Sequence, residues 1–249
     1  MLEAAEWSLA VDGEVGTPLT LTFSDVRAMT VVEQMHTLEC IGNPVGGRLI
    51  GNALWRGVSL RDLLARAAPK SNARFLIMTG ADEYYTAVPL ELALDERSLL
   101  AYEANGEPIP PAHGFPVRVL LPGVYGQKQP KWITSLHLAE VYKQGTWEKK
   151  GWSDTAGIRV NSRIESPQGT AGGSAGGEIQ ISGASFADLS GVKKVEVSTD
   201  TGKTWNDATL YPGPTPMVWT IWGWEWKSPE PGRHVLQVRA TDGNGNVQS

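Results

Sequence analysis

Residues 166–177 read SPQGTAGGSAGG, a run of small and polar residues with no apolar position to bury. A tract of this composition makes a flexible linker or a long loop, not part of a packed core. It constrains the fold more than any other feature, because the pattern of the chain differs on its two sides.

On the N-terminal side, strand and helix signals are mixed. Residues 7–11 (WSLAV) alternate apolar and polar and run into the turn pair Asp12-Gly13. Ser59 with Asp62 at the third helical position has the form of a capping box, with an acid in the usual Glu/Gln place. Leu60, Leu63, Leu64 and Ala67 then share one helical face, and Pro69 stops the helix. RFLIMTG (74–80), YTAVP (85–89), LLAYE (99–103) and VRVLLPG (117–123) are short β-rich runs, and Asn105-Gly106 is a strong turn signal. Residues 1–145 are therefore expected to form an α+β domain, with 146–163 a connecting segment. Beyond the tract, EIQISG, VKKVEVS, KTWNDATL, VWTIWGWEW and HVLQVRATD are strands at short spacing with Gly, Pro and Asp turns. That pattern predicts an Ig-like β-sandwich over 164–249, alike in architecture only, since no cysteine pair is present.

Composition narrows the function classes. The chain is 41% hydrophobic and 20% charged, as globular proteins are. It has no apolar run of membrane-spanning length. Its start, MLEAAEWSLAV, lacks the basic-then-apolar order of a signal peptide, so the chain reads as cytoplasmic as written, or periplasmic if part of an exported precursor. A net charge of −5 sets nucleic acid aside as a partner.

The chemistry has few places to reside. Four histidines and one cysteine make no zinc spacing, and there is no HExxH, CxxC, G-x-S-x-G, P-loop or GxGxxG. What remains is HTLECIGN (36–43), where Cys40 stands before Gly42 and Asn43. By itself that cysteine reads as a buried thiol, as a nucleophile or as a soft metal ligand. The second notable run is HGFPVRVLLPGVYGQKQPKW (113–132), which places Arg118 inside an apolar strand near His113, Lys128 and Lys131. A cation there is costly unless paired, and a buried phosphate would supply the partner with the geometry arginine grips best.

TLECIGN, IGNALWRGVSLRDLL, LLAYEANGEPIPPAHGFPVRVLLPGVYGQKQPKWI and VSTDTGKTW through DGNGNVQ together resemble the sulfite oxidase family of molybdopterin-dependent oxidoreductases, over nearly the whole chain. The resemblance implies a molybdopterin-binding domain followed by an Ig-like dimerisation domain, and a molybdenum-molybdopterin cofactor. It implies Cys40 as the protein ligand to the metal, with the cofactor's dithiolene supplying the other sulfurs. It places the pterin-phosphate contacts on Asp82, His113, Arg118, Gln129 and Lys131, and Lys128 is expected as a further phosphate partner. The implied activity is oxygen-atom transfer on a small-molecule substrate, with electrons passed to a separate electron-transfer protein and the chain a homodimer.

The chain departs from that family at defined points. Two arginines follow the family's C-x-G-N, where this chain has Pro44 and Val45, the nearest arginine being Arg48. Lys149 stands at the position of the family's active-site tyrosine. An oxyanion pocket without those donors is a poor sulfite site. The chain is expected to be truncated at both ends, so the alternative reading is a cofactor-free binding or structural module derived from this family. STDTGKTW (198–205) reads as a structural hairpin, and Trp222, Trp224 and Trp226 as a core or dimer face, with a sugar platform as the other option.

Overall fold

The computed structural model describes residues 3–169, 177–227 and 230–248. It divides into two compact units, one of 1–41 with 53–157, the other of 42–52 with 158–249. The division falls inside the expected connecting segment 146–163. The assignment of residues 42–52 to the second unit has no counterpart in the local sequence pattern.

The first unit holds two sheets. One has the order Leu19–Thr22, Ser8–Gly13, Ile133–Ala139, Phe75–Gly80, Tyr85–Pro89. Its one parallel pairing joins Ser8–Gly13 to Ile133–Ala139. The other runs Val31–Glu39, then residues 53–59 of the strand Ile50–Ser59, then Leu99–Ala104 and Glu107–Pro108, with Arg118–Leu120 also paired to Leu99–Ala104. The Asn105-Gly106 turn is as read: both residues have positive φ, 54° and 81°, as a two-residue hairpin with the right twist requires.

The helix Leu60–Arg66 follows from its sequence. Ser59 Oγ accepts from the Asp62 N–H at 3.2 Å, and Leu60, Leu63 and Leu64 are fully buried. Each such leucine contributes roughly 1.5–3 kcal/mol of burial. A complete reciprocal box occurs at Thr22 and Asp25, ahead of the shorter helix Phe23–Arg27. These helices and both sheets enclose one core that includes Trp7, Leu9, Leu76, Leu100, Val119 and Leu136.

In the second unit, an antiparallel sheet of Asn161–Ser166, Glu178–Phe186, Thr220–Lys227 and Thr209–Tyr211 and a smaller one of Asn206–Asp207, Val192–Ser198 and Gln237–Asp242 contribute to one core. Trp222 is fully buried there, and Trp224 and Trp226 pack partly against the same core with their rings stacked 6.5 Å apart. Trp222 is a core residue, and Trp224 and Trp226 are half-buried at the core's edge. The hairpin at 198–205 is held by Asp200, whose carboxylate accepts from the Lys203 and Thr204 N–H groups at 3.0 and 2.9 Å. Of the Gly/Ser tract, residues 170–176 lie outside the described residues. Among the described residues no helix is long and apolar enough to cross a membrane.

Candidate functional site

The strand Val31–Glu39 ends one residue before Cys40, whose thiol is free and exposed. The turn Gly126–Lys128 closes against that strand end. A Cβ on Gly126 would lie 3.4 Å from the Glu39 carbonyl oxygen, at ordinary van der Waals contact with the strand end. From the same turn, the Gln127 carbonyl accepts from the Tyr84 hydroxyl at 2.5 Å. Burial, then the charges of Glu148, Asp82 and Cys40, push the Tyr84 phenol well above its ordinary pKa, which puts these side chains in one electrostatic neighbourhood.

Asp82 is exposed and accepts from the Tyr84 N–H at 3.2 Å, closing a short turn after Phe75–Gly80. Lys131 donates to the Ala112 carbonyl at 2.9 Å, and its ammonium lies 4.1 Å from the Trp132 ring centroid. Burial and the charge of Arg118 lower its pKa, while Asp82 raises it. Lys131 therefore senses both Arg118 and Asp82.

Arg118 is 4% exposed, on the strand Arg118–Leu120. It donates to the carbonyls of His113 at 2.9 Å and Gln129 at 3.3 Å, and its Nε finds no acceptor. No carboxylate among the described residues lies within ion-pair reach of it, and burial lowers its pKa to about 10. The fold brings Arg118 to Lys131 through Gly114, which has φ +117° and where a Cβ would stand 3.1 Å from the Cβ atoms of both. His113 itself is exposed.

The structure thus gathers Asp82, His113, Arg118 and Lys131, with Cys40 linked to them through Tyr84. Gln129 is adjacent but spent: its Oε1 accepts from the Leu121 N–H and its Nε2 donates to the Val124 carbonyl. Lys128 is 1% exposed and is ion-paired with the buried carboxylate of Glu148, while also donating to the Ala87 carbonyl at 3.0 Å. Its charge is committed to the fold. At the tyrosine position of the resembled family, Lys149 is exposed with its ammonium 5.2 Å from the Tyr85 ring centroid. In the second unit Pro44 and Val45 are exposed, and Arg48 lines a cavity of about 1180 Å³ with Arg163, Glu165 and Arg233.

Sequence reasoning missed three residues here. Tyr84 and Glu148 gave no local signal, since their roles depend on partners 43 and 20 positions away. His36 had one: in extended backbone it shares a face with position 40. It is fully buried, with both ring nitrogens unpaired and its carbonyl accepting from the Trp55 indole at 3.2 Å. Burial, then the charge of Arg118, lowers its pKa to about 4, so the imidazole is neutral.

Among the described residues no three His, Cys, Asp or Glu side chains cluster as a metal site. Cys40 can therefore hold a metal only with ligands from elsewhere, and a buried arginine with an orphaned Nε beside a second cation is suited to an anionic group. These residues fit a metal-dithiolene cofactor carrying a phosphate, and the class they define is a cofactor cradle, distinct from a hydrolytic triad or an all-protein metal centre.

The chain belongs to the oxidoreductase molybdopterin binding domain family, of sulfite oxidase type: residues 1–147 match that family. It is 35% identical over 150 residues to the uncharacterized oxidoreductase YuiH of Bacillus subtilis, covering 60% of this chain and 74% of that protein. It is 31% identical to mitochondrial sulfite oxidase of Rattus norvegicus over 94% of this chain and 51% of that protein. The chain thus spans about half the length of that relative. The sulfane dehydrogenase SoxCD of Paracoccus pantotrophus has a similar structure, with a TM-score of 0.86 and 25% identity over all of this chain and 70% of that one.

Proposed function

We propose that this chain is the core of a molybdenum-cofactor oxidoreductase in which Cys40 ligates the metal and a small substrate is oxidised or reduced by two electrons through oxygen-atom transfer. When bound, the cofactor supplies the two-electron redox centre. Arg118 and Lys131 offset the charge of its phosphate, His113 and Asp82 donate and accept hydrogen bonds at its polar edge, and Tyr84 with the 126–128 turn fixes the strand end that presents Cys40. In net terms, substrate and water give the oxygenated substrate, two protons and two electrons, or the reverse. The electrons pass to a separate electron-transfer protein; with one cysteine and no CxxCH, these residues hold neither a c-type haem attachment nor a cysteine-held iron–sulfur cluster. We assign the homodimer contact to residues 164–249.

The observation that carries this reading is the buried, carboxylate-free Arg118 beside Lys131 in the domain whose strand end exposes Cys40. The substrate is not sulfite: Pro44 and Val45 offer no cation where sulfite oxidases place two, and Lys149 replaces the tyrosine. The test is metal and pterin analysis of protein from a cofactor-competent host, followed by assays with sulfite, sulfoxides and N-oxides. One molybdenum and one pterin per chain, with turnover of a sulfoxide or N-oxide and not of sulfite, is the expected result. Protein free of both would favour the cofactor-free module instead.

A further inference from the structure

His36 is fully buried and neither of its ring nitrogens has a hydrogen-bond partner. A neutral imidazole carries one N–H donor and one acceptor nitrogen, and leaving both dry and unpaired is unfavourable. A second orphan stands near it, the buried Nε of Arg118, which can only donate. The two are close enough for the arginine's charge to act on the imidazole. Trp55 ties them together: its indole N–H donates to the His36 carbonyl at 3.2 Å, and the Arg118 guanidinium carbon lies 5.5 Å from its ring centroid. An acceptor without a donor and a donor without an acceptor are thus both buried beside Trp55.

The remaining nitrogens of Arg118 rest on the carbonyls of His113 and Gln129. A phosphate gripped end-on by a guanidinium takes both terminal nitrogens and leaves Nε–H to be satisfied from the other side. We propose that His36 is a positioning residue for Arg118: its neutral imidazole accepts the Nε–H when the terminal nitrogens turn from those carbonyls to the anionic end of the cofactor. His36 touches no cofactor atom in this scheme. The inference rests on reading Arg118 as the phosphate partner.

The test compares the full chain as wild type, His36→Leu, His36→Gln and Arg118→Gln, all produced in a cofactor-competent host. The readouts are pterin and molybdenum content, the rate of cofactor loss on dilution, and the thermal midpoint of the apo forms. Outer partners of site ligands typically contribute on the order of 10–100-fold in affinity, so His36→Leu should release cofactor faster by that factor. His36→Gln, which restores an acceptor, should stay near wild type, Arg118→Gln should be empty, and the apo midpoint of His36→Leu should match or exceed the wild type. Should the leucine variant not fold, His36→Met against His36→Gln makes the same comparison. Cofactor retained by His36→Leu as by wild type, with Arg118→Gln empty, would overturn the role of His36 alone. Equal loss from the leucine and glutamine variants would do the same. Retention by Arg118→Gln, or an empty wild type, would overturn the phosphate reading and this inference with it.

Discussion

Lys128 and Glu148 form an ion pair in which the two side chains are 1% and 0% exposed. The pair joins the turn beside the Cys40 strand end to the segment that carries Lys149. Burial raises the Glu148 pKa, but hydrogen bonds from Lys128, its own backbone N–H and Thr86 outweigh it and hold the carboxyl below its ordinary value. Removing one partner leaves a buried charge uncompensated, at about 3–5 kcal/mol. Glu148→Ala and Lys128→Met should each lower the unfolding free energy read from urea denaturation by that amount, and the double variant Lys128→Met with Glu148→Leu should recover most of it. Single variants within 1 kcal/mol of wild type, an allowance of ~1 kcal/mol for an exposed pair, would show that the pair is solvated.

The histidine beside Arg118 makes a pH prediction. His36 has a folded pKa of about 4 against an ordinary 6.5, so the unfolded chain binds the proton more tightly. Stability is full above pH 6.5 and falls as the pH drops from 6.5 through about 4. Two and a half pH units at ~1.4 kcal/mol each amount to about 3 kcal/mol. Denaturation of wild type and His36→Leu across that range should show the extra loss only in wild type. Parallel curves would place His36 in contact with water.

Gly114 lets the 113–118 turn close on Lys131. At φ +117°, with Arg118 and Lys131 Cβ atoms 3.1 Å from where its own Cβ would be, alanine is strained in backbone and packing. Gly114→Ala should cost about 1–3 kcal/mol and displace Arg118. The expected result is a lower thermal midpoint together with reduced pterin content, and an unchanged value of both would contradict it.

Much of this was legible in the sequence where the cause is local. The Ser59 cap, the Leu60–Leu63–Leu64 face and the Asn105-Gly106 hairpin depend on neighbours within a few positions, and all three formed. Asp82, His113, Arg118 and Lys131 were named from a motif resemblance, and the fold brings them together. Features that depend on distant partners were hidden. The strand at Arg118 stops at Leu120, opposite the first residue of its partner strand, Leu99, and the Leu121 N–H is taken by the Gln129 side chain. Lys128 read as a phosphate cation because its partner Glu148 lies 20 positions on, in a segment read only as a connector. Residues 42–52 follow Cys40 directly yet group with the second unit, a consequence of long-range packing that no local pattern carries.

The central claim is that Cys40 is a ligand of molybdenum. X-ray absorption at the molybdenum edge, on wild type and Cys40→Ser from the same host, tests it most directly. The account predicts one fewer sulfur neighbour around molybdenum in the serine variant, with the pterin retained through Arg118 and Lys131. An identical sulfur shell in both proteins, or a wild type without molybdenum, would contradict it.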